Sequence, residues 1–463
     1  MKFDFLTEWE NSASKGAVLL PWLRGILHLR AIPRSPCDSG KIVFEKKRLL
    51  HLGFFCPQAY FEFHDKAEKN HQYAARKLES RIVEGLRKND VEVETIGLYP
   101  ARIFPRNRTI LLRAFKGVDA QGQQAQAVGY INVPLLSHLS RTFSILKAGW
   151  YALRRGSQRP SAILVYSLHT PLVLSATVLS KWFHIPFYIY IPDLPQYMNI
   201  GSKRSWLFRF LKKIDTLLVL SLSDQAMGII GITSGLVQSR PSWNSKCMAV
   251  LEGVAELSEE SAEVLKQHDA EVLHKYGLEK GFLFYAGGLA EPYGVGILLE
   301  AAKRLAGQVC LVLCGAGAME GDVRRAASEH VYIRYLGSIP PEDVKALSRK
   351  ASFLVNARIP GDTYLRYSFP SKLLEYMNTG VPVISSRLPG IPQEYYEHLL
   401  VLDDVTVQGL IECLQRNMGA NYASSRLVAK GAFAFCQQRK LPQQQGRILV
   451  EMIFPDLLRG SFQ

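Results

Sequence analysis

The sequence has no C-x-x-C pair, although it holds seven cysteines in 463 residues: Cys37, Cys56, Cys247, Cys310, Cys314, Cys413 and Cys436. An odd number without paired spacing argues against a disulfide-stapled scaffold and a zinc ribbon. Cys310 and Cys314 are four apart, but the run VCLVLCG around them reads as a buried strand. Reduced thiols and no metal are expected. Uninterrupted apolar runs of about 18 residues, the length of a spanning helix, are missing too. The nearest stretch, GAVLLPWLRGILHLRAIPR (16–34), is broken by Pro21, Arg24, His28 and Arg30. It lacks a clear basic start and an A-x-A-like exit, so it makes a poor signal peptide, and a cytoplasmic location is expected.

Acidic residues are scarce in the first half. Residues 1–250 hold 34 Lys and Arg against 17 Asp and Glu, whereas 251–463 hold 22 against 24. A basic half beside a neutral one points to an anionic partner: nucleic acid, a phosphorylated substrate or an anionic membrane surface. There is no RNP-like aromatic motif, zinc pattern or helix-turn-helix, so no nucleic acid is expected. The remaining composition, 48% hydrophobic and 21% charged, is that of an ordinary globular chain with two to four domains.

Residues 1–46 show no clean period and read as a leader of uncertain role. From Arg48 the pattern alternates between strand and helix. Strands are expected at 48–55, 91–96, 162–166, 186–191 and 216–222, with helices at 66–88, 138–154, 171–183 and 204–213. Residues 98–135 read as irregular. Residues 235–280 read as a polar connection with one short strand, 248–251. A second series follows, with strands at 282–285, 309–314, 331–335, 352–355 and 381–385. Its helices are expected at 295–306, 318–328, 342–350, 370–379, 405–417 and 421–438. Such alternation predicts an α/β fold of two doubly wound domains facing a cleft. The boundaries read as 47–240 for the first domain and 241–278 for the linker. The second domain reads as 279–438, and 439–463 as a tail that could return to the first. Ligands in such sheets bind outside the carboxyl ends of the strands.

The stretch RYSFPSKLLEYMNTGVPVISS (366–386) reads as a short helix feeding a strand. Pro370 suits the first turn and Gly380 the left-handed position beyond the end. Amides near Ser371 and Lys372, with the lysine charge, suit a phosphate. Glu375, one turn on, suits vicinal sugar hydroxyls. The same residues suit an ordinary crossover helix.

Four segments, taken together and in order, resemble family 4 of the glycosyltransferases, in the FPSKLLEY-type subgroup common among bacterial surface-polysaccharide transferases. They are FLFYAGGLAEPYGVGILLEAAKRL (282–305), CLVLCGAGAME (310–320), VYIRYLGSIPPEDVKALSRKASFLVNA (331–357) and SFPSKLLEYMNTGVPVISSRLPGIPQE (368–394). The first half is similar in rhythm alone, in LVYSLHTPLVLSA, PFYIYIPDLP and LLVLSLSD. The resemblance implies the GT-B fold, with two Rossmann-like domains. It also implies metal-free transfer of a sugar from a nucleotide-diphosphate sugar, with retention at the anomeric carbon.

Carried over residue by residue, the second Glu of the family's E-x7-E motif falls at Glu375, where it would hold the donor ribose. The first falls at Tyr367. The Arg and Lys that neutralise the leaving diphosphate fall at Gly288 and Tyr293, so both cations are missing. Lys372, Arg366 and Arg358 are the candidate replacements. The turn Leu336–Gly337–Ser338–Ile339–Pro340 falls where the family packs the nucleotide base. Gly315 and Gly317 resemble its G-x-G turn, Gly315 serving as a donor contact after its packing role.

In the first domain the strand ends bring Gly53, His169 and Asp193 toward the cleft, Gly53 for close backbone approach and the other two as acceptor-side polar groups. No D-x-D stands at a strand end, so no catalytic metal is expected. Two segments interleave basic and aromatic residues, RTFSILKAGWYALRR (141–155) and GSKRSWLFRFLKKI (201–214), as anionic-bilayer helices do.

The reading is a membrane-peripheral glycosyltransferase on the inner face of the cell membrane. Its acceptor would be lipid-linked or a saccharide, in cell-surface polysaccharide synthesis. The alternatives are a non-catalytic GT-B subunit and a GT-B sugar-nucleotide epimerase.

Overall fold

The computed structural model describes residues 47–68, 73–134, 136–156, 159–197, 206–256, 261–279 and 281–455. The leader 1–46 lies outside them, as do Lys203 and Arg204 of the second basic segment. Residues 46–463 form one compact unit.

The first domain contains β1 (Arg48–Gly53), α1 (Gln58–Glu68), α2 (Tyr73–Arg87), β2 (Glu92–Gly97), β3 (Leu111–Leu112), β4 (Phe115–Val118), β5 (Gln124–Ala127) and β6 (Tyr130–Ile131). Then come α3 (Leu136–Leu153), β7 (Ala162–Tyr166), α4 (Thr170–Phe183), β8 (Phe187–Ile191), α5 (Trp206–Ser223), β9 (Gly228–Gly231), α6 (Ser234–Val237) and β10 (Cys247–Val250). Eight of these strands form one sheet in the order β10-β9-β8-β7-β1-β2-β5-β4, parallel except for the β4–β5 pair. Every residue of β7, AILVY, is buried, as expected of a strand covered by helices on both faces.

The second domain contains α7 (Ala262–Tyr276), β11 (Phe282–Ala286), α8 (Val295–Arg304), β12 (Cys310–Cys314), α9 (Glu320–Glu329), β13 (Ile333–Tyr335), α10 (Pro341–Lys350) and β14 (Phe353–Asn356). It continues with α11 (Ser371–Met377), β15 (Val383–Ser386), β16 (Leu400–Leu402), α12 (Val407–Asn417), α13 (Tyr422–Arg439) and α14 (Pro442–Ile453). Its six strands run in the order β13-β12-β11-β14-β15-β16, all parallel. Helix α14 returns to the first domain and packs on α2. Gly85 and Gly446 meet there so closely that a Cβ on either would overlap the other strand of backbone.

Four readings change. Residues 216–222 are the second half of helix α5, and the strand is Gly228–Gly231. An unbroken apolar run fits either element. Here nothing stops the helix that begins upstream, so it runs on through LLVLSLS. The polar connection holds β10, an edge strand of the first sheet, and α7, a 15-residue helix capped by Ser261 and closed by Gly277. Residues 98–135 carry short strands in two antiparallel pairs, β4–β5 and β3–β6. The helix expected at 370–379 is shorter, Ser371–Met377, with Pro370 at its N-cap.

Among the described residues no helix is long and apolar enough to cross a membrane. The six described cysteines are unbridged.

Candidate functional site

The carboxyl ends of the two sheets meet. Thr233, just past β9, donates its hydroxyl to the carbonyl of Arg366 at 2.9 Å. Tyr197, past β8, stacks on Tyr367 with ring centroids 5.4 Å apart. Tyr367, in the place of a carboxylate, is thus part of the domain contact. The Arg366 side chain lies along Gly235 of α6, where a Cβ would crowd it.

Helix α11 stands in this cleft. Its Tyr376 is buried and accepts the Ala286 amide at 2.8 Å, which ties the helix to the end of β11. That anchor fixes the neighbouring Glu375. The Glu375 carboxylate receives Lys372 at 2.6 Å, and Lys77 reaches toward it from α2 at 3.8 Å. Desolvation pushes its carboxyl up, but Lys372, Lys77 and Arg81 outweigh it and hold Glu375 below the ordinary range. Lys372, expected to face a phosphate, spans one helical turn to Glu375. Ser371 is exposed at the start of the helix.

A second carboxylate organises the same region. Glu256 takes Lys77 at 2.9 Å, Arg81 at 2.8 Å and Lys345 at 3.0 Å, which joins α2 to α10. Burial opposes ionisation there. Arg81, Lys77 and Lys345 prevail and bring its pKa down to about 2. Sequence reading missed this set, although Lys77 and Arg81 share a helix face at i, i+4 spacing.

At the ends of β11 and β14, Gly288 faces Tyr293. A Cβ at 288 would come within 2.9 Å of the Tyr293 ring, so glycine and tyrosine are coupled choices. The guanidinium of Arg358 sits over that ring, 4.9 Å from its centroid, and Ser386 holds the Arg358 carbonyl at 2.7 Å. Among the described residues no carboxylate lies within 4 Å of Arg358. Gly315 has φ +131° and donates its amide to the carbonyl of Gly337, at φ +71°, with the half-buried Ile339 two residues on.

On the first domain, Gly53 leaves room for the Glu79 carboxylate, which a Cβ would overlap. Glu79 accepts the Phe54 amide at 2.8 Å and so holds the loop after β1. Complete burial pushes its carboxyl up to about 8. His169 stands at the N-cap position of α4, just past β7, its ring 5.4 Å from that of Phe54. Desolvation, then Arg141 and His138, drive its pKa down to about 3, so the ring is neutral at pH 7. Asp193 is open to water yet set among protein, and desolvation raises its carboxyl to about 6.

Residues 280–418 match the family of glycosyl transferases group 1. The matched stretch lies within the second domain. An O-antigen chain mannosyltransferase B of Escherichia coli is 28% identical over 172 residues, 34% of this chain and 44% of that protein. This chain thus spans less than half the length of the curated relatives it matches. Sucrose-phosphate synthase of Thermosynechococcus elongatus superposes with TM-score 0.59 at 14% identity, covering 90% of this chain and 99% of that one. HepE of Anabaena in complex with UDP superposes with TM-score 0.55 at 13% identity, covering 87% and 98%. The fold is GT-B. Glu375, Arg358 and the Gly315–Gly337 turn lie within the matched residues, and Lys77, His169 and Asp193 lie in the first domain.

Proposed function

We propose that the chain is a retaining glycosyltransferase that moves a sugar from a nucleotide-diphosphate sugar to a lipid-linked or saccharide acceptor in cell-surface polysaccharide synthesis. One observation carries the reading. The FPSKLLEY helix of the group 1 domain sets Glu375 at the carboxyl ends of its sheet, opposite Lys77 of the first domain. A carboxylate kept ionised there accepts ribose hydroxyls, and cations around it suit a diphosphate. Structures of HepE with UDP and with UDP-glucose, and the mannosyltransferase relative, support a nucleotide-sugar donor. The departure of the diphosphate needs fixed positive charge rather than a side-chain nucleophile, and Arg358 offers it without a carboxylate partner. The loss of the family's two cations favours a second reading, a subunit that binds donor without turnover.

An acceptor with a lipid tail would be met at an anionic membrane surface. Leu139 and Phe143 of α3, Leu111 of β3, and Trp206 and Phe210 of α5 are exposed, among a surplus of Lys and Arg. We place the protein in the cytoplasm, on the inner face of the membrane.

A thermal-shift screen across UDP-, GDP-, dTDP- and ADP-sugars tests the reading. Stabilisation by one base class is expected, and none by any of the four overturns it. Donor binding without transfer to any lipid-linked or saccharide acceptor selects the second reading.

A further inference from the structure

Arg141 is a buried cation without a counter-ion. It projects from α3 and is 8% exposed. Its guanidinium stacks on the Tyr130 ring, 4.3 Å from the centroid. Two of its nitrogens, Nε and Nη2, are buried with no hydrogen-bond partner. Among the described residues no carboxylate lies within 4 Å. Residues 101–240 hold four acids in all, and three have partners of their own, Asp215 beside the histidines. Asp119 takes Arg87 at 2.6 Å, Asp224 takes the Arg240 Nε at 2.7 Å, and Asp215 takes the Thr170 hydroxyl at 2.6 Å. The fourth, Asp193, follows β8.

Other orphaned donors surround it. Nδ1 of His169 and Oγ of Ser137 are also buried without partners. Ser137 stands one turn before Arg141 on the same face of α3. The His138 ring stacks 6.2 Å from that of His169. Burial lowers the pKa of both histidines and Arg141 adds to it, while Asp215 opposes it at His138, so these groups lie within electrostatic reach of one another. Buried donors are otherwise paired almost without exception, and a guanidinium fork matches the oxygens of a phosphate. The cluster lies at the carboxyl ends of β1 and β7. On the opposite face of the same helix, two residues on from Ser137 and Arg141, Leu139 and Phe143 are about 70% exposed, and β6 packs against α3.

We propose that Arg141, with His169, His138 and Ser137, binds a terminal phosphate or diphosphate of the acceptor, whose hydrocarbon tail leaves over Leu139 and Phe143. This rests on reading the first domain as the acceptor half. Arg141 forks the phosphate oxygens, the neutral His169 donates through whichever nitrogen carries its proton, and the exposed apolar face of α3 receives the tail.

The test titrates the full chain, saturated with UDP to fill the donor site, with inorganic pyrophosphate and with geranyl diphosphate. Both should bind wild type, geranyl diphosphate more tightly. Arg141→Gln should weaken both by about tenfold or more, the loss of a charged fork, whereas Arg304→Gln, in an exposed ion pair on α8, should leave them unchanged. Equal affinity for the two probes would overturn the tail path and leave a site for free phosphate. Wild-type affinity in Arg141→Gln, or an equal loss in Arg304→Gln, would overturn the site. If Arg141→Gln does not fold, Arg141→Lys and His169→Gln read the same affinities. Failure of UDP to bind, with pyrophosphate still lost in the Arg141 variant, would sink the donor reading and keep this one.

Discussion

The guanidinium of Arg358 rests on the ring of Tyr293, 4.9 Å from its centroid, beside a glycine that has no room for a side chain. The family's two diphosphate cations would fall at that glycine and that tyrosine.

Arg358→Ala should therefore weaken UDP by roughly 10- to 100-fold while leaving uridine unchanged, since a charged hydrogen bond contributes about 1.5–3 kcal/mol. Tyr293→Phe should keep most of the affinity and Tyr293→Leu should lose part of it. The double change Gly288→Arg with Tyr293→Lys should restore UDP binding in the Arg358→Ala background. Calorimetry with UDP and uridine decides, and equal losses for both ligands would place Arg358 away from the diphosphate.

Glu375→Ala should abolish thermal stabilisation by the donor, through a loss of the same size. Its own ion pairs are partly exposed and contribute little to folding, so the unliganded melting temperature should move by a few degrees at most. Wild-type donor stabilisation in this variant would mean that the site lies elsewhere.

Turnover should survive EDTA, because no D-x-D stands at a strand end to seat a catalytic ion. Activity lost on chelation and restored by Mg²⁺ or Mn²⁺ would refute this.

Glu79 makes stability depend on pH. Its folded pKa, about 8, lies above the unfolded carboxylate value, so the folded state holds the proton more tightly. The contribution is present below the unfolded value and is lost as pH rises through about 8. Neighbouring His51, with its pKa near 3, stays neutral across that window. Glu79→Gln keeps an acceptor for the Phe54 amide and cannot ionise. Its stability relative to wild type should rise between pH 5 and about 8, as denaturant unfolding would show. A pH-independent difference would mean that Glu79 is ionised in the fold.

The protein should bind anionic vesicles and release partly as salt rises, because the Debye length falls below about 8 Å. Gln at Lys203, Arg204, Arg209, Lys212 and Lys213 should detach it and spare turnover on a soluble acceptor analogue. Undiminished sedimentation with vesicles would move the contact to another face.

Much of the architecture is legible in local pattern. The strand 162–166 and the helix starting near 171 stand where alternation put them, because periodicity acts within one segment. Residues 216–222 failed as a strand because an apolar run carries no period, and 262–276 escaped notice because its helix has a weak apolar stripe.

The sequence by itself determined the α/β class, the group 1 segment order, the helix that carries Glu375 and the basic bias of the first half. Tertiary structure decided which charges meet. Lys372 spans a helical turn to Glu375. Lys77 and Arg81 arrive from about 180 residues before Glu256 in the chain, and Arg141 is left, among the described residues, with no acid within 4 Å. Propensity and periodicity are properties of neighbours along the chain. A counter-ion is a property of neighbours in space, and it exists only after the two sheets and their helices have packed.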